Sequence, residues 1–363
     1  MPIRILHVVT YMGRGGLETM LMNYYRSIDR TKVQFDFLTH RDFEADYDAE
    51  ILALGGKIYH LPNLNPFSRG YLTALDRFFA EHPEYRIVHS HLDCMAGIPL
   101  KYAKKHGVPV RIAHAHNSNQ PRDVKYPLKL IYKRGIGKHA TLLFACSAEA
   151  GRWMFGTDGF RVLNNAIDAG RYAYRSDVRE AVRRELGLPE DALVVGHVGR
   201  FDPQKNHSFL VEIFSKMPGD AQLLLVGDGV LRPDAGRQAE ALGVRDRIIF
   251  AGVRPDVERL LQAMDVFLFP SLFEGLPVSI IEAQAAGLPC LISDKVPIEC
   301  KKTDLVTQLP LDAGAAEWAE AVLAAAKTPR EDTLTQLRDA GFDIQANADW
   351  LADFYLNLHR NEA

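Results

Sequence analysis

The sequence predicts an α/β protein built from two doubly wound, parallel-sheet domains. Short β-branched runs alternate with segments of helical period along the whole chain, which is typical of βαβ units. The 363 residues also exceed the length at which one hydrophobic core usually keeps growing. The alternation breaks near residues 164–177 (NNAIDAGRYAYRSD), and we place the domain boundary there.

The predicted strands divide into two series. The first half contains IRILHVV, VQFDFL, KIYHL, RIVHSH, VRIAHAH and TLLFACS, and the second ALVVGHVG, AQLLLVG, RIIFAG, DVFLFP and LPCLIS. We therefore expect domains at 1–170 and 171–345, facing each other across a cleft, and an amphipathic helix at 346–363 that packs back toward the first domain. Ligands of such sheets bind beyond the carboxyl ends of the strands.

Composition excludes several classes of protein. With 47% hydrophobic and 25% charged residues and no apolar run near 18 residues, no transmembrane helix is expected. The N-terminus MPIRILHVVT runs straight into a β-rich segment and lacks the features of a signal peptide. The cysteines show no CxxC pair or framework spacing, so we expect reduced core thiols in a cytosolic protein: Cys94, Cys146, Cys290 and Cys300.

The formal net charge of −3 conceals a split between the two halves. Residues 1–170 hold 22 Lys/Arg against 16 Asp/Glu, and residues 171–363 hold 21 against 30. The first half is therefore basic and the second acidic, which suggests a different partner for each.

The first strand ends in a glycine-rich loop, TYMGRGGLETM. Glu18 stands where a dinucleotide-binding fingerprint would have its third glycine, so that fingerprint fails. Two interpretations remain open: a loop whose backbone N–H groups suit an anion, or a plain strand-to-helix turn.

A basic loop, HVGRFDPQKN, follows the first strand of the second half. Arg200 offers a planar fork and Lys205 a point charge, a pairing that suits a diphosphate. The alternative is a solvated loop, because most Lys and Arg side chains are exposed. Two further strand exits, at 223–230 (LLLVGDGV) and 250–257 (FAGVRPDV), offer weaker signals for a flat ligand or a nucleobase.

Two carboxylates stand out in the apolar stretch SLFEGLPVSIIEAQAAGLP. Pro277 is placed to start a helix whose N-terminal N–H groups, at 275–279, favour an anion. Glu274 would lie beside that anion, and Glu282 would lie two turns into the helix. Either each carboxylate has a partner in the protein, or both accept hydrogen bonds from a hydroxyl-rich ligand such as a nucleotide sugar.

Histidines and acidic residues offer two possible metal sites. His89 and His91, and likewise His114 and His116, share a strand face, so four imidazoles could gather at neighbouring strand ends. We favour histidines bonded to each other and to backbone over a metal centre. Asp46-Tyr-Asp48 matches a DxD pattern, but its charged surroundings indicate a solvated helix start.

In this order, GRGGLE, HAHN, GRFDPQKN, VGDG and FEGLPVSIIEAQAAG resemble the retaining glycosyltransferases of family 4, most of all the branch that builds bacterial capsular and exopolysaccharides. The resemblance spans nearly the whole chain. The Glu-x7-Glu element with Arg and Lys upstream is specific, whereas the glycine loop alone is not. One departure is RVLNNAID, where the family commonly has Asn-Gly-Ile-Asp, so Asn165 would have to accept the turn geometry.

The resemblance implies a GT-B fold, an active site in the interdomain cleft, and a UDP-sugar donor used without metal or other cofactor. The residues it makes catalytic are His116, Glu274, Arg200 and Lys205. The residues it assigns to donor binding are Gly15, Gly16, Arg200, Lys205, Gly227, Asp228, Val253, Arg254, Glu274, Gly275, Leu276, Pro277, Val278 and Glu282. In this assignment Glu282 takes the ribose hydroxyls and His116 lies beside the reacting sugar.

The mechanism expected from these charges is front-face transfer with retention, in which the departing phosphate helps to deprotonate the acceptor. The acceptor would be polyprenyl-diphosphate-linked or an oligosaccharide, and no nucleic-acid partner is expected. Two alternatives stay open: a UDP-N-acetylglucosamine epimerase of the same fold, and a non-catalytic nucleotide-sugar-binding scaffold.

A basic segment predicts contact with the inner face of the cell membrane. Between residues 101 and 139 one acid, Asp123, accompanies ten cations: Lys101, Lys104, Lys105, Arg111, Arg122, Lys125, Lys129, Lys133, Arg134 and Lys138. Lys125, Lys129 and Lys133 form one helical stripe, as in an interfacial amphipathic helix. The alternatives are a solvated helix face or contacts with the acceptor's diphosphate.

Overall fold

The protein forms two compact units in a computed structural model that describes residues 1–119, 124 and 126–361. The first unit comprises Met1–Ala166 together with the chain from Ile344 onward, and the second comprises Ile167–Asp343. These divisions lie within a few residues of the boundaries proposed above.

The first unit is built on a seven-stranded parallel sheet with the order β3-β2-β1-β4-β5-β6-β7. Its strands are β1 (Ile3–Val8), β2 (Val33–Thr39), β3 (Ile58–His60), β4 (Ile87–Ser90), β5 (Val110–Ala115), β6 (Leu142–Ala145) and β7 (Arg161–Val162). Its helices before the boundary are α1 (Gly16–Ser27), α2 (Asp48–Ala53), α3 (Arg69–Glu81), α4 (Gly97–Lys105), α5 (Tyr126–Arg134) and α6 (Ala148–Phe155).

The second unit is built on a six-stranded parallel sheet with the order β10-β9-β8-β11-β12-β13. Its strands are β8 (Val194–Val198), β9 (Gln222–Val226), β10 (Ile248–Gly252), β11 (Val266–Phe269), β12 (Cys290–Ser293) and β13 (Val306–Leu309). Its helices are α7 (Ala169–Tyr172), α8 (Ser176–Glu185), α9 (His207–Ser215), α10 (Arg232–Ala241), α11 (Val257–Ala263), α12 (Val278–Ala285), α13 (Gly314–Ala325) and α14 (Leu334–Asp339).

The last helix, α15 (Ile344–Asn361), belongs to the first unit and packs against α1 and β2. Its fully buried Tyr355 donates or accepts a 2.7 Å hydrogen bond with Nδ1 of His89 on β4. This contact joins residues 266 positions apart in the chain, so the first unit requires both ends of the sequence.

Both sheets confirm the predicted doubly wound α/β class, and all eleven predicted strands form. In β2, β4, β11 and β12 every residue is buried, because helices cover both faces of a parallel sheet. In each sheet the strand order reverses once, between β1 and β4 and between β8 and β11. At such a switch point the loops that follow the two neighbouring strands lead away in opposite directions. The crevice that this leaves beyond the carboxyl ends of the strands is where ligands of these sheets bind.

Two strands were not predicted from the sequence. β7 has only two residues and β13 reads Val-Thr-Gln-Leu, and both lie at sheet edges. Neither offers the long apolar run by which buried strands are recognised.

Asn165 does not adopt the left-handed backbone conformation that favours glycine in a turn. Among the described non-glycine residues, positive φ occurs at Asp93 (46°) and Asn206 (57°). Asn165 is instead buried in the segment that ends the first unit. Here the backbone has no need of a glycine, so the departure from the family's Asn-Gly-Ile-Asp pattern is accommodated without strain.

Two expectations from composition can be compared with the structure. All four cysteines are buried as reduced thiols. In the part of the chain that the structure describes, no helix combines the length and apolar character needed to cross a membrane.

Candidate active site

In the second unit, the loop after β8 is held against the loop after β9 by backbone contacts. The N–H of Gly199 donates to the carbonyl of Val226 at 3.0 Å, and the N–H of Phe201 donates to that of Asp228 at 3.0 Å. Gly227 has φ 135°, and a Cβ there would lie 2.1 Å from the carbonyl oxygen of Gly199. The fold itself therefore requires glycine at 227, whether or not a ligand approaches it.

The basic loop continues into a single 3₁₀ turn, Pro203–Lys205, that positions Lys205. The side chain of Asp202 accepts from the N–H of Lys205 at 3.2 Å, which caps the turn, and Asn206 leaves it in the left-handed conformation. Arg200 precedes the turn and is exposed. The sequence thus holds the two cations on a short, conformationally restricted loop at the carboxyl end of β8.

The Lys205 side chain is bonded to Glu274. Its Nζ donates to Oε1 of Glu274 at 2.6 Å and lies 4.7 Å from the ring centroid of Phe269. Gln204 donates to the other carboxylate oxygen, Oε2, at 3.1 Å. The carboxylate of Glu274, 5% exposed, is thereby fixed between two side chains of the basic loop.

The start of α12 lies directly after this carboxylate. Residues 275–278 are buried, Pro277 is the N-cap, and the first helical residue is Val278. The first turn of a helix leaves backbone N–H groups without intrahelical partners, and the helix dipole is positive there. The ammonium of Lys205 and the N-terminal N–H groups of α12 together create a region of positive electrostatic potential next to Glu274.

Glu282 is buried farther along α12. Its Oε1 accepts a 2.8 Å hydrogen bond from the hydroxyl of Tyr172 on α7. Burial raises the pKa of Glu282 to about 7, because desolvation outweighs the hydrogen bond from Tyr172. The same environment raises the pKa of the Tyr172 hydroxyl.

Both carboxylates of the apolar stretch therefore have partners within the protein. Glu274 is paired with a cation, whereas the partner of Glu282 is a neutral hydroxyl. A carboxylate can accept about four hydrogen bonds, so the bond from Tyr172 leaves capacity for further hydroxyl groups at Glu282. The structure therefore shows the first alternative, a protein partner for each carboxylate.

Val253 and Arg254 follow directly after β10, beyond the carboxyl end of that strand. Val253 is exposed, but the guanidinium of Arg254 bonds Asp256 at 2.8 Å and Glu185 at 3.2 Å. These contacts raise the pKa of Arg254 further. Because the Arg254 side chain is engaged by α8 and by its own loop, contacts from this exit to a ligand would use backbone groups. In the loop that follows β9, Oδ2 of Asp228 lies 3.6 Å from Nη1 of Arg232.

In the first unit, Gly15 is the N-cap of α1 and Gly16 is its first residue. Gly16 is exposed, and a Cβ built on it would meet no atom within 4 Å. Gly13, in contrast, is buried against the Tyr11 ring. The helix start is therefore sterically open beside Gly16, as an anion-binding loop requires, although a plain turn has the same geometry.

His116 follows β5 and ends a chain of hydrogen-bonded histidines. Nδ1 of His7 lies 3.0 Å from Nε2 of His91, and Nδ1 of His91 lies 2.9 Å from Nε2 of His116. A second pair joins His89 Nε2 to His114 Nδ1 at 3.2 Å. The interpretation as histidines bonded to one another agrees with these contacts.

These imidazoles are neutral near pH 7. Desolvation lowers the pKa of His7 and His116 to about 3, and lowers the pKa values of His89, His91 and His114 well below 6.5. His116 is half-buried and is therefore the member of the group nearest to solvent. It can offer a neutral ring to a ligand, but not a positive charge.

The Asp46-Tyr-Asp48 segment does not form a two-carboxylate metal site. Asp46 is exposed and lies 4.0 Å from Arg14, whereas Asp48 is buried at the start of α2 and accepts from the N–H of Ala45 at 2.8 Å. The predicted helix start is confirmed, but the prediction that it is solvated is wrong at Asp48, which is 7% exposed.

Sequence reasoning missed four residues that hold the predicted ones, two in each unit. Gln204 and Tyr172 hold the two glutamates, Tyr355 bonds His89, and Asp93 accepts from the backbone N–H of His116 at 3.1 Å. Gln204 lies between Pro203 and Lys205, so the motif itself could have indicated it. The other three act over 23 to 266 residues of sequence separation, for which no local pattern exists.

Comparison with known proteins places these elements in a family. The model described as Glycosyltransferase Family 4 matches residues 14–171, and that described as Glycosyl transferases group 1 matches residues 178–339. Together they cover both units. The chain belongs to glycosyltransferase family 4.

A full-length relative supports the same membership for this glycosyltransferase. The protein EpsF of Bacillus subtilis (strain 168), described as a glycosyltransferase, is 37% identical over 97% of this chain and 96% of the relative. A second relative, the UDP-Gal:alpha-D-GlcNAc-diphosphoundecaprenol alpha-1,3-galactosyltransferase of Escherichia coli, is 28% identical over 58% of each chain.

Solved structures share the fold of the glycosyltransferase. Anabaena HepE, crystallised in complex with UDP-glucose, has a TM-score of 0.76 at 18% identity and covers 99% of this chain and 100% of its own. Sucrose-phosphate synthase from Thermosynechococcus elongatus has a TM-score of 0.78 at 18% identity over 99% of both chains. Two Rossmann-like parallel-sheet domains of the GT-B class are thus confirmed.

Proposed function

We propose that this glycosyltransferase moves a sugar from a UDP-sugar, with retention and without a metal, to a lipid-linked or oligosaccharide acceptor in surface polysaccharide synthesis. The observation that carries the proposal is the Lys205–Glu274 pair beside the start of α12, on the loop that also presents Arg200. The E. coli relative's name specifies a UDP-sugar donor and a diphosphoundecaprenol acceptor, and HepE was crystallised with UDP-glucose.

The donor diphosphate would bind to Arg200, Lys205 and the N–H groups at the start of α12. Each charge-assisted hydrogen bond of this kind contributes roughly 1.5–3 kcal/mol. The bond of Lys205 to Glu274 holds the ammonium in one orientation, so less side-chain freedom is lost when the diphosphate arrives. The family resemblance also assigns Gly15 and Gly16 to the donor phosphate or the acceptor.

The ribose would bind at Glu282. Its carboxylate is fixed by Tyr172 and has oxygen lone pairs for two vicinal hydroxyl groups. Backbone groups at 227–228 and 253–254 would contact the base, while Glu274 and residues 275–278 would contact the donor sugar and phosphate. His116 would offer its neutral ring to the reacting sugar.

The reaction follows from where charge develops. When the bond between the anomeric carbon and the UDP oxygen breaks, the electron pair leaves with UDP, and the two cations and the helix start stabilise it. The acceptor oxygen bonds the anomeric carbon on the same face, and its proton passes to the departing phosphate oxygen. Of the two cations, Lys205 is held in place by its bond to Glu274.

The proposal is tested by incubating the protein with UDP-glucose, UDP-galactose, UDP-N-acetylglucosamine or UDP-N-acetylgalactosamine and a polyprenyl-diphosphate-linked acceptor. One donor should yield a glycosylated lipid with the donor's anomeric configuration, read by NMR. Donor conversion without acceptor would instead establish an epimerase. Binding of a UDP-sugar without turnover on any membrane acceptor would establish a scaffold.

The first unit would meet this acceptor at the membrane surface. Five cations of the first unit are exposed on α4, at the end of α5 and just beyond α5: Lys101, Lys104, Lys105, Arg134 and Lys138. Two apolar side chains are also exposed, Val124 (96%) and Ile131 (63%). Exposed apolar groups next to cations are what an interfacial segment needs.

The structure changes which members of the predicted stripe can take part. Within the stripe, Lys125 lies outside the described residues and Lys129 is half-buried. Arg122 and Asp123 of the wider basic segment also lie outside the described residues. Lys133 lies 4.1 Å from the ring centroid of Trp153, and burial lowers its pKa. Lys133 is therefore committed to packing, so the membrane contact is assigned to the exposed cations instead.

A further inference from the structure

Two aromatic side chains lie together beyond the carboxyl ends of β1 and β2. Tyr11 follows β1 and Phe43 follows β2, and their ring centroids are 5.6 Å apart with an edge-to-face angle of 61°. The two loops run side by side, because the N–H of His40 donates to the carbonyl of Thr10 at 2.8 Å. We call these two rings the aromatic pair. They lie at the edge of the sheet where ligands of such folds bind.

The aromatic pair is supported on one side and open to solvent on the other. Gly13 is buried against Tyr11, and a Cβ there would lie 2.5 Å from Cε2 of the Tyr11 ring. Phe43, in contrast, is 50% exposed. Single exposed apolar residues are ordinary on protein surfaces, so the function of this one depends on the groups around it.

A carboxylate and a guanidinium lie beside the aromatic pair. Oδ2 of Asp46 is 3.5 Å from the position that a Cβ of Gly13 would take, so this carboxylate and the Tyr11 ring border the same backbone segment. Nε of Arg14 lies 4.0 Å from Oδ1 of Asp46, and Cζ of Arg14 lies 5.0 Å from the ring centroid of Tyr47. The Asp46 side chain is 48% exposed and accessible to further hydrogen-bond donors.

An exposed ring next to a carboxylate and a guanidinium suits a sugar. A pyranose has a face made of C–H groups, which the negative face of an aromatic ring attracts. Its hydroxyl groups need both acceptors and donors, which Asp46 and Arg14 supply. A lipid chain would gain nothing from these two charges, and a diphosphate would be repelled by the Asp46 carboxylate.

We propose that the aromatic pair, with Asp46 and Arg14, forms a subsite for a sugar residue of the acceptor, whose ring stacks on Phe43. This inference rests on the proposed function and narrows it. The acceptor already carries at least one sugar, so the enzyme extends a glycan, and an earlier glycosyl transfer must supply its substrate. The subsite lies in the first unit, whereas the cations assigned to the donor diphosphate lie in the second.

The test is saturation-transfer difference NMR on the full chain, with UDP in excess to occupy the nucleotide site. The probes are the methyl glycosides of glucose, galactose, N-acetylglucosamine and N-acetylgalactosamine. At least one glycoside should receive saturation on its ring C–H protons from the parent protein. Phe43→Leu keeps an apolar side chain but removes the ring, so it should weaken this binding about 2- to 12-fold, whereas Phe43→Trp should retain it.

Two further variants complete the test. Asp46→Ala removes an acceptor for the sugar hydroxyls and should weaken binding by a similar factor. Trp350→Leu is the matched control, because Trp350 is also an exposed aromatic residue of the first unit but lies 6.4 Å from the ring of Phe144 on β6, away from β1 and β2. It should bind the glycoside as the parent does. Thermal unfolding temperatures close to that of the parent check that each variant is folded.

The proposal is overturned if no glycoside receives saturation from the parent, or if either Phe43→Leu or Asp46→Ala binds it unchanged. Unchanged binding in Phe43→Leu would mean that no sugar stacks on this ring. Because the readout is sugar binding to the first unit, a failed sugar-transfer assay leaves this result unaffected. A negative result here likewise leaves the donor site of the second unit as proposed.

Discussion

Lys205 Nζ lies 2.6 Å from Glu274 Oε1, and this bond joins the loop after β8 to the segment that opens α12. The N–H of Leu272 donates to the carbonyl of Gln204 at 2.8 Å beside it, so the two segments are connected through backbone as well. The pair places a cation and an anion at the start of one helix. A diphosphate needs the cation, whereas the sugar hydroxyls need the anion.

Glu274→Gln should reduce turnover much more than it reduces UDP binding. The amide keeps an acceptor for the sugar but removes the anion, so Lys205 loses its charged partner and the site becomes more positive toward a diphosphate. UDP affinity, measured by calorimetry, should be unchanged or higher while kcat falls. A large loss of UDP affinity with normal kcat would show that the roles of the two glutamates are reversed.

Glu282→Gln should weaken donor binding with a smaller effect on kcat. A ribose contact is alike in the ground and transition states, so its loss appears in the donor KM. The expected loss is roughly 1.5–3 kcal/mol, or about 10- to 150-fold. Tyr172→Phe, which removes the hydroxyl that positions Glu282, should give a smaller effect of the same kind. If kcat fell alone, the ribose assignment would have to be abandoned.

Glu282 also makes a pH-dependent contribution to stability. Its pKa is about 7 in the folded protein against an ordinary 4.5, so its proton stabilises the fold fully below pH 4.5. That stabilisation, roughly 3 kcal/mol for a pKa difference of about 2.5, is lost as pH rises through 7. The free energy of unfolding of Glu282→Gln minus that of the parent should therefore increase between pH 4.5 and 7.5. Denaturant titrations that show a constant difference would contradict the raised pKa.

Sugar transfer should proceed in the presence of EDTA. The donor diphosphate has Arg200, Lys205 and the start of α12 as its positive groups, and Asp46 and Asp48 occupy different environments. Initial rates with and without the chelator should agree. Loss of activity that Mn²⁺ or Zn²⁺ restores would mean that a metal carries part of the chemistry.

Membrane binding should depend on the exposed cations. Co-sedimentation with liposomes should require anionic lipid, fall with added salt, and drop when Lys101, Arg134 and Lys138 are changed together to Glu. The exposed pair Lys301 and Lys327 of the second unit, changed to Glu, serves as the control. Equal binding to neutral and anionic liposomes, or none at low salt, would refute the membrane contact.

Much of the fold could be predicted because its signals are local. Parallel strands covered on both faces are apolar throughout, so runs such as Val266–Phe269 are recognisable without partners. The edge strands β7 and β13 were missed because short, partly exposed strands depend on tertiary pairing. Left-handed backbone at Asp93 and Asn206 was likewise unforeseen, since most such positions are glycine.

The residues of the candidate site could be predicted from the sequence, but the residues that they bond to could be predicted less well. The spacing of Glu274 and Glu282 indicated a ligand-binding helix start, and the structure places them at that helix. That Lys205 pairs with Glu274 follows only from the adjacency of β8 and β11, which is a property of the sheet order. The involvement of Tyr172 depends on how α7 packs on α12 and has no signature in the sequence.

Calorimetric titration of UDP into the parent and three variants tests the central claim most directly. Arg200→Ala and Lys205→Ala should each weaken UDP binding by roughly 1.5–3 kcal/mol, about 10- to 150-fold. Lys216→Ala, which removes an exposed cation at the end of α9, should bind as the parent does. Parent-like UDP affinity in both Arg200→Ala and Lys205→Ala would contradict a nucleotide-diphosphate site at this loop.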